Sequence, residues 1–282
     1  MPLPDNFDLQ EFVQRALAED LGTGGDVTSN STVEADARFA AEMNCRQAIV
    51  VAGSEIAAAF FRALDPQIVI EPLAKDGDRA EHGTTLMRLT GNARGMLAAE
   101  RSALNALQHL SGIATLTRAY VDAIARTGAV LLDTRKTIPG LRVLEKYASR
   151  MGGAENHRMR LDDGVLIKDN HVAVCGGVAE AVRRAKAANT GLQIQVEVDR
   201  LEQIEPALSA GADRLLLDNM DPAMLREVVR LVAGKVPLEA SGGVTLETIR
   251  FLAETGVDYI SVGRITQSAP AVDIGLDYAI SR

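Results

Sequence analysis

The feature that most constrains this chain is a rhythm that sets in near residue 129. Short apolar strands alternate with helices from there on. The strands are Val130–Asp133, Gly164–Lys168, Ile194–Val198, Arg214–Asp218, Pro237–Ala240 and Tyr259–Val262. The helices are about Leu141–Met151, Val178–Ala188, Leu201–Ala210, Pro222–Val232 and Leu246–Glu254. The later strands recur every ~20 residues, the length of one βα unit, which calls for parallel strands joined by helical crossovers. A weak internal repeat marks the units. Ala210-Gly211-Ala212-Asp213 precedes one strand and Thr255-Gly256-Val257-Asp258 another, each with Gly placed to end a helix.

Six or seven such units either close into a barrel or stay open as a doubly wound sheet. The polar residues decide between them. Nearly every strand ends in chemistry: Asp133-Thr134-Arg135-Lys136, Lys168-Asp169-Asn170, Glu197-Val198-Asp199, Asp218-Asn219, Ser241-Gly242-Gly243 and Val262-Gly263-Arg264. An open sheet gathers its site at one switch point. A barrel recruits all its strand ends around one mouth, and that pattern fits here. The earlier residues read differently. A helix over Leu9–Glu19 leads through a turn at Gly22–Asp26 to strand-like pieces at Arg38–Cys45, Ile49–Ala52, Gln67–Glu71 and Thr84–Thr90. Gly95–Ala125 has helical periodicity, and Ser111-Gly112 is expected to break it into two helices. The expected division is an α+β domain over 1–112, rejoined by 271–282, and a barrel over 113–270.

With 282 residues, 47% of them apolar, the chain has material for a large core. No apolar run approaches the ~20 residues of a membrane span. Met1-Pro2-Leu3-Pro4-Asp5 has neither a basic region nor an apolar stretch, so no signal peptide and a cytoplasmic location are expected. Cys45 and Cys175 form no CxxC pair and read as reduced core residues. The net charge of -8 argues against a nucleic-acid partner. Yet Asp133–Lys168 holds eight Lys and Arg against five acids, a basic island that points to a small anionic ligand. Arg142, Lys146 and Arg150, on its helix, are expected to be solvated.

The constellations within this frame are anionic-ligand chemistry. Ser241-Gly242-Gly243 and Val262-Gly263-Arg264 end consecutive strands, where barrel loops hold phosphate with backbone N–H groups. Taken singly, each is more often only a tight turn; two in succession favour phosphate. Thr134-Arg135-Lys136 offers a guanidinium for a planar carboxylate and an ammonium for phosphate, against the commoner fate of a solvated basic turn. His157 and Arg158 follow a flexible Gly152-Gly153 turn. Lys168 and Glu197 read as strand residues with apolar neighbours, where charges are rare unless paired or used. A structural ion pair is the plainer alternative. Asp218 closes Leu215-Leu216-Leu217 and, with Glu197, suits ribose hydroxyls or Mg²⁺. His and Cys spacing for a zinc site is missing. His82 and His109 are left as structural.

Taken together these segments resemble the quinolinate phosphoribosyltransferases. The stretches that carry the resemblance, in order, are Ala18-Glu19-Asp20-Leu21-Gly22, Glu100-Arg101-Ser102-Ala103-Leu104-Asn105, Asp133-Thr134-Arg135-Lys136-Thr137, Asn156-His157-Arg158, Leu166-Ile167-Lys168-Asp169-Asn170-His171, Glu197-Val198, Leu217-Asp218-Asn219-Met220, Glu239-Ala240-Ser241-Gly242-Gly243 and Ser261-Val262-Gly263. The resemblance implies an N-terminal α/β sandwich, a C-terminal incomplete α/β barrel of fewer than eight units, and a homodimer with shared sites, with hexamers as a further assembly. It implies transfer of phosphoribose from phosphoribosyl pyrophosphate to quinolinate, yielding nicotinate mononucleotide, pyrophosphate and CO₂ with Mg²⁺, a step of NAD biosynthesis. It implies Arg101, Arg135 and Arg158 as carboxylate clamps with His157 and Lys136 nearby, and Arg101 acting in the neighbouring subunit. Ser241, Gly242, Gly243 and Gly263 would cradle the 5′-phosphate, Lys136 and Lys168 would stabilise pyrophosphate, and Glu197 and Asp218 would hold the ribose. The chain departs from the family's pattern at Ala154 and Arg160, where Gly is usual, and at Gln267, where His is common. Three alternatives stand beside it: a phosphoribosyltransferase-like paralogue with another acceptor, a phosphate-binding barrel lyase or isomerase using Lys168, and a binding protein without turnover.

Overall fold

The computed structural model describes residues 7–278; the N-terminal pentapeptide and the last four residues lie outside them. In chain order the elements are α1 (Leu9–Leu21), α2 (Val27–Thr32), β1 (Arg38–Cys45), β2 (Ile49–Val50), α3 (Ser54–Leu64), β3 (Val69–Pro72), β4 (Arg79–Ala80), β5 (Thr85–Asn92), α4 (Ala93–Ala123), β6 (Val130–Leu132), α5 (Arg142–Gly152), β7 (Val165–Ile167), α6 (Asp169–Cys175), α7 (Val178–Ala187), β8 (Ile194–Val198), α8 (Ile204–Ser209), β9 (Arg214–Asp218), α9 (Pro222–Val232), β10 (Leu238–Ser241), α10 (Ile249–Ala253), β11 (Tyr259–Ser261), α11 (Arg264–Gln267) and β12 (Ile274–Tyr278). They fall into two compact units. The first takes the described parts of Met1–Arg118, Val143–Gly153 and Ser268–Arg282, and the second takes Ala119–Arg142 and Ala154–Gln267. No helix among the described residues is long and apolar enough to cross a membrane.

The first unit is built on a four-stranded antiparallel sheet in the order β12-β1-β5-β3. Its register sets Ala41 opposite Leu89 and Met43 opposite Met87, and all four side chains are buried. Strand alternation puts them on one apolar face. Four elements here have no counterpart in the sequence expectations: α2, α3, β4 and β12. α3 buries Ile56, Phe60 and Phe61, and Asp76 caps its start by accepting from the backbone N–H groups of Gly53 and Ser54 at 2.7 and 3.0 Å. The expected break at Ser111-Gly112 is corrected: α4 runs through it. A Cβ at Gly112 would stand 2.1 Å from the Pro270 carbonyl oxygen, and the Ser111 hydroxyl bonds the backbone of Ala52. The pair is a packing notch in a continuous helix. The expected boundary after residue 112 therefore lies inside α4.

α5 also differs from expectation. Lys146 is fully buried, as are Glu145 and Ser149, and Glu145 meets His109 at 2.9 Å. Arg150 buries its Nε, and Arg142 donates to Thr137 Oγ1 and the Met159 carbonyl. Arg142 is held by protein partners and Lys146 is fully buried, so charge alone misplaced this helix's cations on a solvated face. Of the cysteines, Cys45 is buried as expected. Cys175 is not a core residue, since it lies half-exposed on α6, which buries nothing.

The second unit is a parallel sheet in the order β6-β11-β10-β9-β8-β7. Six βα strands curl as an incomplete α/β barrel, with β6 and β7 at its two edges. The internal repeat now has a physical basis. Asp213 accepts from the Ile194 N–H at 2.8 Å while its own N–H donates to the Ile194 carbonyl. Asp258 does the same to Leu238, at 2.7 Å for the carboxylate. Each aspartate pins the start of the neighbouring strand, which sets the register.

Candidate active site

That register sorts the inward residues into layers. Gln195 lies beside Arg214; one step higher Glu197, Leu216, Glu239 and Tyr259 align across β8–β11; Asp218 and Ser241 align above them. With period-two alternation these three rows share one face of the sheet. A cavity of about 660 Å³ opens at the C-terminal strand ends. It is lined by every site residue expected from the sequence except Arg101, which is exposed on α4.

β6 delivers the first group. Its edge pairs on one side with β11 and on the other with Glu155 through a bridge at Leu132, so residues 154–158 form a strap in the open seam of the barrel. Asp133, fully buried, accepts from the His157 N–H at 2.8 Å and from Asn156 Nδ2 at 2.5 Å. These bonds fix His157 and Arg158 at the cleft. Arg158 donates to the Gly164 carbonyl at 2.9 Å. Burial and then the neighbouring Arg135 charge lower its pKa, with Asp163 opposing. Arg135 carries a buried Nε without a hydrogen-bond partner. Two guanidiniums that repel each other, one with an unanswered donor, are chemically suited to a carboxylate. Ala154 and Arg160, which stand where Gly is usual, have no positive φ, so the backbone accepts them without strain.

The Thr134 hydroxyl accepts from the Lys136 N–H at 3.0 Å, and Thr266 donates to the Lys136 carbonyl at 2.8 Å. Lys136 then crosses Gly263, where a Cβ would stand 2.7 Å from its Cδ. Gly242 has φ 94°, and a Cβ there would strike Asn219 Oδ1 at 2.2 Å. Gly243 lies open beside it, and Val262, Arg264 and Gln267 complete this wall of the cleft. Asn219 itself holds φ 55° and donates to Asp218 Oδ2 at 2.7 Å. Lys168 is corrected from a buried strand residue: β7 stops at Ile167, and Lys168 caps α6 with its side chain half-exposed, its Nζ 3.4 Å from Glu197 Oε2.

Beneath these residues lies a cluster absent from the sequence expectations. Glu239 is fully buried, and its Oε2 accepts from Gln195 Nε2 at 2.7 Å and pairs with Arg214 at 2.7 Å. The Arg214 guanidinium lies 3.8 Å from the centroid of the Tyr259 ring. His157 Nε2 stands 3.5 Å from the same Glu239 oxygen. Burial raises the Glu239 pKa, but the His157 contact, the Arg214 charge and the Gln195 bond counter this, and it is lowered. A signal was present: Glu239 follows Leu238 in a strand, the pattern that singled out Glu197.

Against known proteins, residues 26–111 match the family model for the N-terminal domain of quinolinate phosphoribosyl transferase, and residues 113–277 match that for its C-terminal domain. The nicotinate-nucleotide pyrophosphorylase [carboxylating] of Mycobacterium leprae is 44% identical over 95% of this chain and 96% of its own. The probable enzyme of that name from Bacillus subtilis is 41% identical over 98% and 96%. The crystal structure of nicotinate-nucleotide pyrophosphorylase from Ehrlichia chaffeensis superposes with a TM-score of 0.93 at 41% identity, covering 97% of this chain and 100% of that one. The ordered motifs, both domain matches and the shared fold lead to one conclusion: the chain belongs to the quinolinate phosphoribosyltransferase family.

Proposed function

We infer that the chain transfers phosphoribose from phosphoribosyl pyrophosphate to quinolinate and releases pyrophosphate and CO₂, leaving nicotinate mononucleotide for NAD biosynthesis. The observation that supports this most is the Arg135–Arg158 pair with its buried, unpartnered Nε at the mouth of a barrel. A lyase using Lys168 leaves that pair unexplained. Quinolinate brings two carboxylates, and Arg135 and Arg158 clamp them bidentately. The partner subunit's Arg101 adds a third guanidinium, which accounts for an exposed arginine on α4. Backbone N–H groups at Ser241, Gly242, Gly243, Val262, Gly263 and Arg264 cradle the 5′-phosphate. Glu197 and Asp218 accept the ribose hydroxyls and favour positive charge developing at the anomeric carbon.

The reaction needs no covalent nucleophile. The pyridine nitrogen bonds to the anomeric carbon as the bond to pyrophosphate breaks, and Lys136 and Lys168 stabilise the departing charge. Decarboxylation then releases the carboxylate next to that nitrogen as CO₂, leaving an electron pair on the ring carbon that takes a proton from water. Positioning and preorganised charge supply the rate, and losing one charged contact costs ~10²–10³ in turnover. The donor set fits a substrate-borne Mg²⁺: among the described residues no group of three or more His, Cys, Asp or Glu is placed to hold a metal, and Mg²⁺ commonly takes one or two carboxylates plus substrate phosphates. Glu197 and Asp218, beside the ribose hydroxyls, are the carboxylates that would hold such an ion, which when bound would supply charge neutralisation at pyrophosphate. The enzyme acts in the cytoplasm as a homodimer, or as a hexamer built from three such dimers.

The test is an assay with quinolinate, phosphoribosyl pyrophosphate and Mg²⁺ that follows CO₂ and nicotinate mononucleotide. Both products are expected. No product with quinolinate, and turnover of nicotinic acid or another base instead, overturns the reading.

A further inference from the structure

Glu239 places a full negative charge under a cleft whose other lining charges are mostly positive. Its contact upward is His157, and the imidazole's bonding is informative. The Arg158 backbone N–H donates to His157 Nδ1 at 2.8 Å. Nδ1 therefore carries a lone pair, and the proton of the neutral ring sits on Nε2. Nε2 is buried without a hydrogen-bond partner in this geometry, and Glu239 Oε2 lies 3.5 Å from it. Both nitrogens are thus turned toward protein, and the part of the ring left at the cleft is carbon. A protonated ring would oppose two N–H groups across the Nδ1 contact. It would also add a cation beside Arg158 and Arg135.

We propose that Glu239 is a positioning residue of the acceptor subsite, which locks His157 as its Nε2–H tautomer so that His157 meets the acceptor as a neutral aromatic edge. The carboxylates of the acceptor are then held by Arg135 and Arg158, and His157 selects for a flat heteroaromatic ring between them. Gln195 and Arg214, with Tyr259 under the guanidinium, anchor the carboxylate from below. This rests on the reading of quinolinate as the acceptor.

The first experiment is ¹⁵N NMR of the full-length protein labelled at histidine, with the His157 signals identified by their loss in His157→Phe. At neutral pH, Nε2 is expected protonated and Nδ1 bare. A protonated Nδ1, in either the other tautomer or the imidazolium, overturns the proposal. The second is kinetic. His157→Phe keeps a ring without nitrogens, and His157→Lys keeps a cation without a ring. The KM for quinolinate is expected to rise less in the Phe variant; the opposite order overturns the proposal. Glu239→Gln is expected to raise the KM for quinolinate about tenfold, the worth of one close contact between the carboxylate charge and the ring. The KM for phosphoribosyl pyrophosphate should stay within about twofold, a split that general damage to the barrel does not produce. Equal rises in both KM values count against it. If Glu239→Gln fails to fold, the NMR signals and the Phe–Lys order still decide. If the parent protein does not turn over quinolinate at all, the acceptor assignment fails, and the tautomer is still read independently by NMR.

Discussion

Removing the Asp133 carboxylate tests whether the strap at residues 154–158 builds the acceptor subsite. Asp133 is fully buried and receives two donors, the His157 N–H at 2.8 Å and Asn156 Nδ2 at 2.5 Å. Hydrogen bonds to a charged group contribute roughly 1.5–3 kcal/mol each, so Asp133→Ala should destabilise the protein by about 3–5 kcal/mol. Asp133→Asn is milder. Its carbonyl still accepts from His157, and Asn156 can turn its amide to meet the new NH₂, so about 1 kcal/mol is lost with the charge. The functional effect should be selective. His157 and Arg158 ride on the strap, whereas the glycines proposed to cradle the 5′-phosphate follow β10 and β11. A displacement near 1 Å costs on the order of 10²-fold, so kcat/KM for quinolinate should fall by about that factor in Asp133→Ala. The KM for phosphoribosyl pyrophosphate should change little. Urea unfolding beside steady-state kinetics at saturating co-substrate measures both. An Asp133→Ala protein with undiminished stability and an unchanged quinolinate KM would refute the reasoning, because the strap would then be held by its Glu155 bridge alone.

The other predictions concern different parts of the molecule. Gly242→Ala puts a Cβ 2.2 Å from Asn219 Oδ1 at a φ of 94°; strain of ~1–3 kcal/mol should raise the KM for phosphoribosyl pyrophosphate about 10- to 100-fold, and a normal KM would show that the cradle lies elsewhere. Arg101→Ala and Lys168→Ala subunits, each inactive alone, should regain part of the activity when mixed and reassociated; mixtures that stay dead rule out a shared site. Asp213→Asn probes pH. Burial raises the Asp213 pKa, but the Lys186 and Ile194 bonds and the Lys186 charge outweigh it and lower it from 3.8. Its stabilising effect is therefore present above that value and lost as pH falls through the lowered one. The variant should be about 1 kcal/mol less stable at pH 7, after discounting for a half-exposed pair, and the gap should close in acid; a gap that persists below pH 3 in melting experiments contradicts this.

The barrel was more legible than the first unit, for physical reasons. β8, β9 and α9 are found at the bounds their residues announce, because apolar strand runs and an Asp221 cap followed by Pro222 are local signals. Ser111-Gly112 misled because glycine marks two situations alike, a chain that must bend and a chain that must be approached; the Pro270 carbonyl 2.1 Å from a notional Cβ identifies the second. That contact is 158 residues distant in sequence. β12 is similar. Its place beside β1 depends on a pairing between the two ends of the described chain, which no short window carries.

The site divides the same way. Residues at strand ends, such as Glu197, Asp218 and Ser241, are legible because their position along a strand already implies the mouth of a barrel. His157 and Arg158 sit on no strand; they reach the cleft because Glu155 bridges β6 and the buried Asp133 holds them. Asp133 heads the most conspicuous basic motif in the chain, yet it is the member of that motif turned away from the cleft. Glu239 likewise opens a glycine motif and acts on the layer below. In both motifs the residues expected to meet anions are adjacent in sequence to a buried carboxylate that faces His157 from another part of the barrel, so a positive cluster of this kind needs its acids in order to have a shape. Net charge therefore locates such a site but understates it. Replacing Asp133 or Glu239 makes the cleft more positive, and on this geometry it should bind its dicarboxylate less well, the opposite of what a charge count alone would predict.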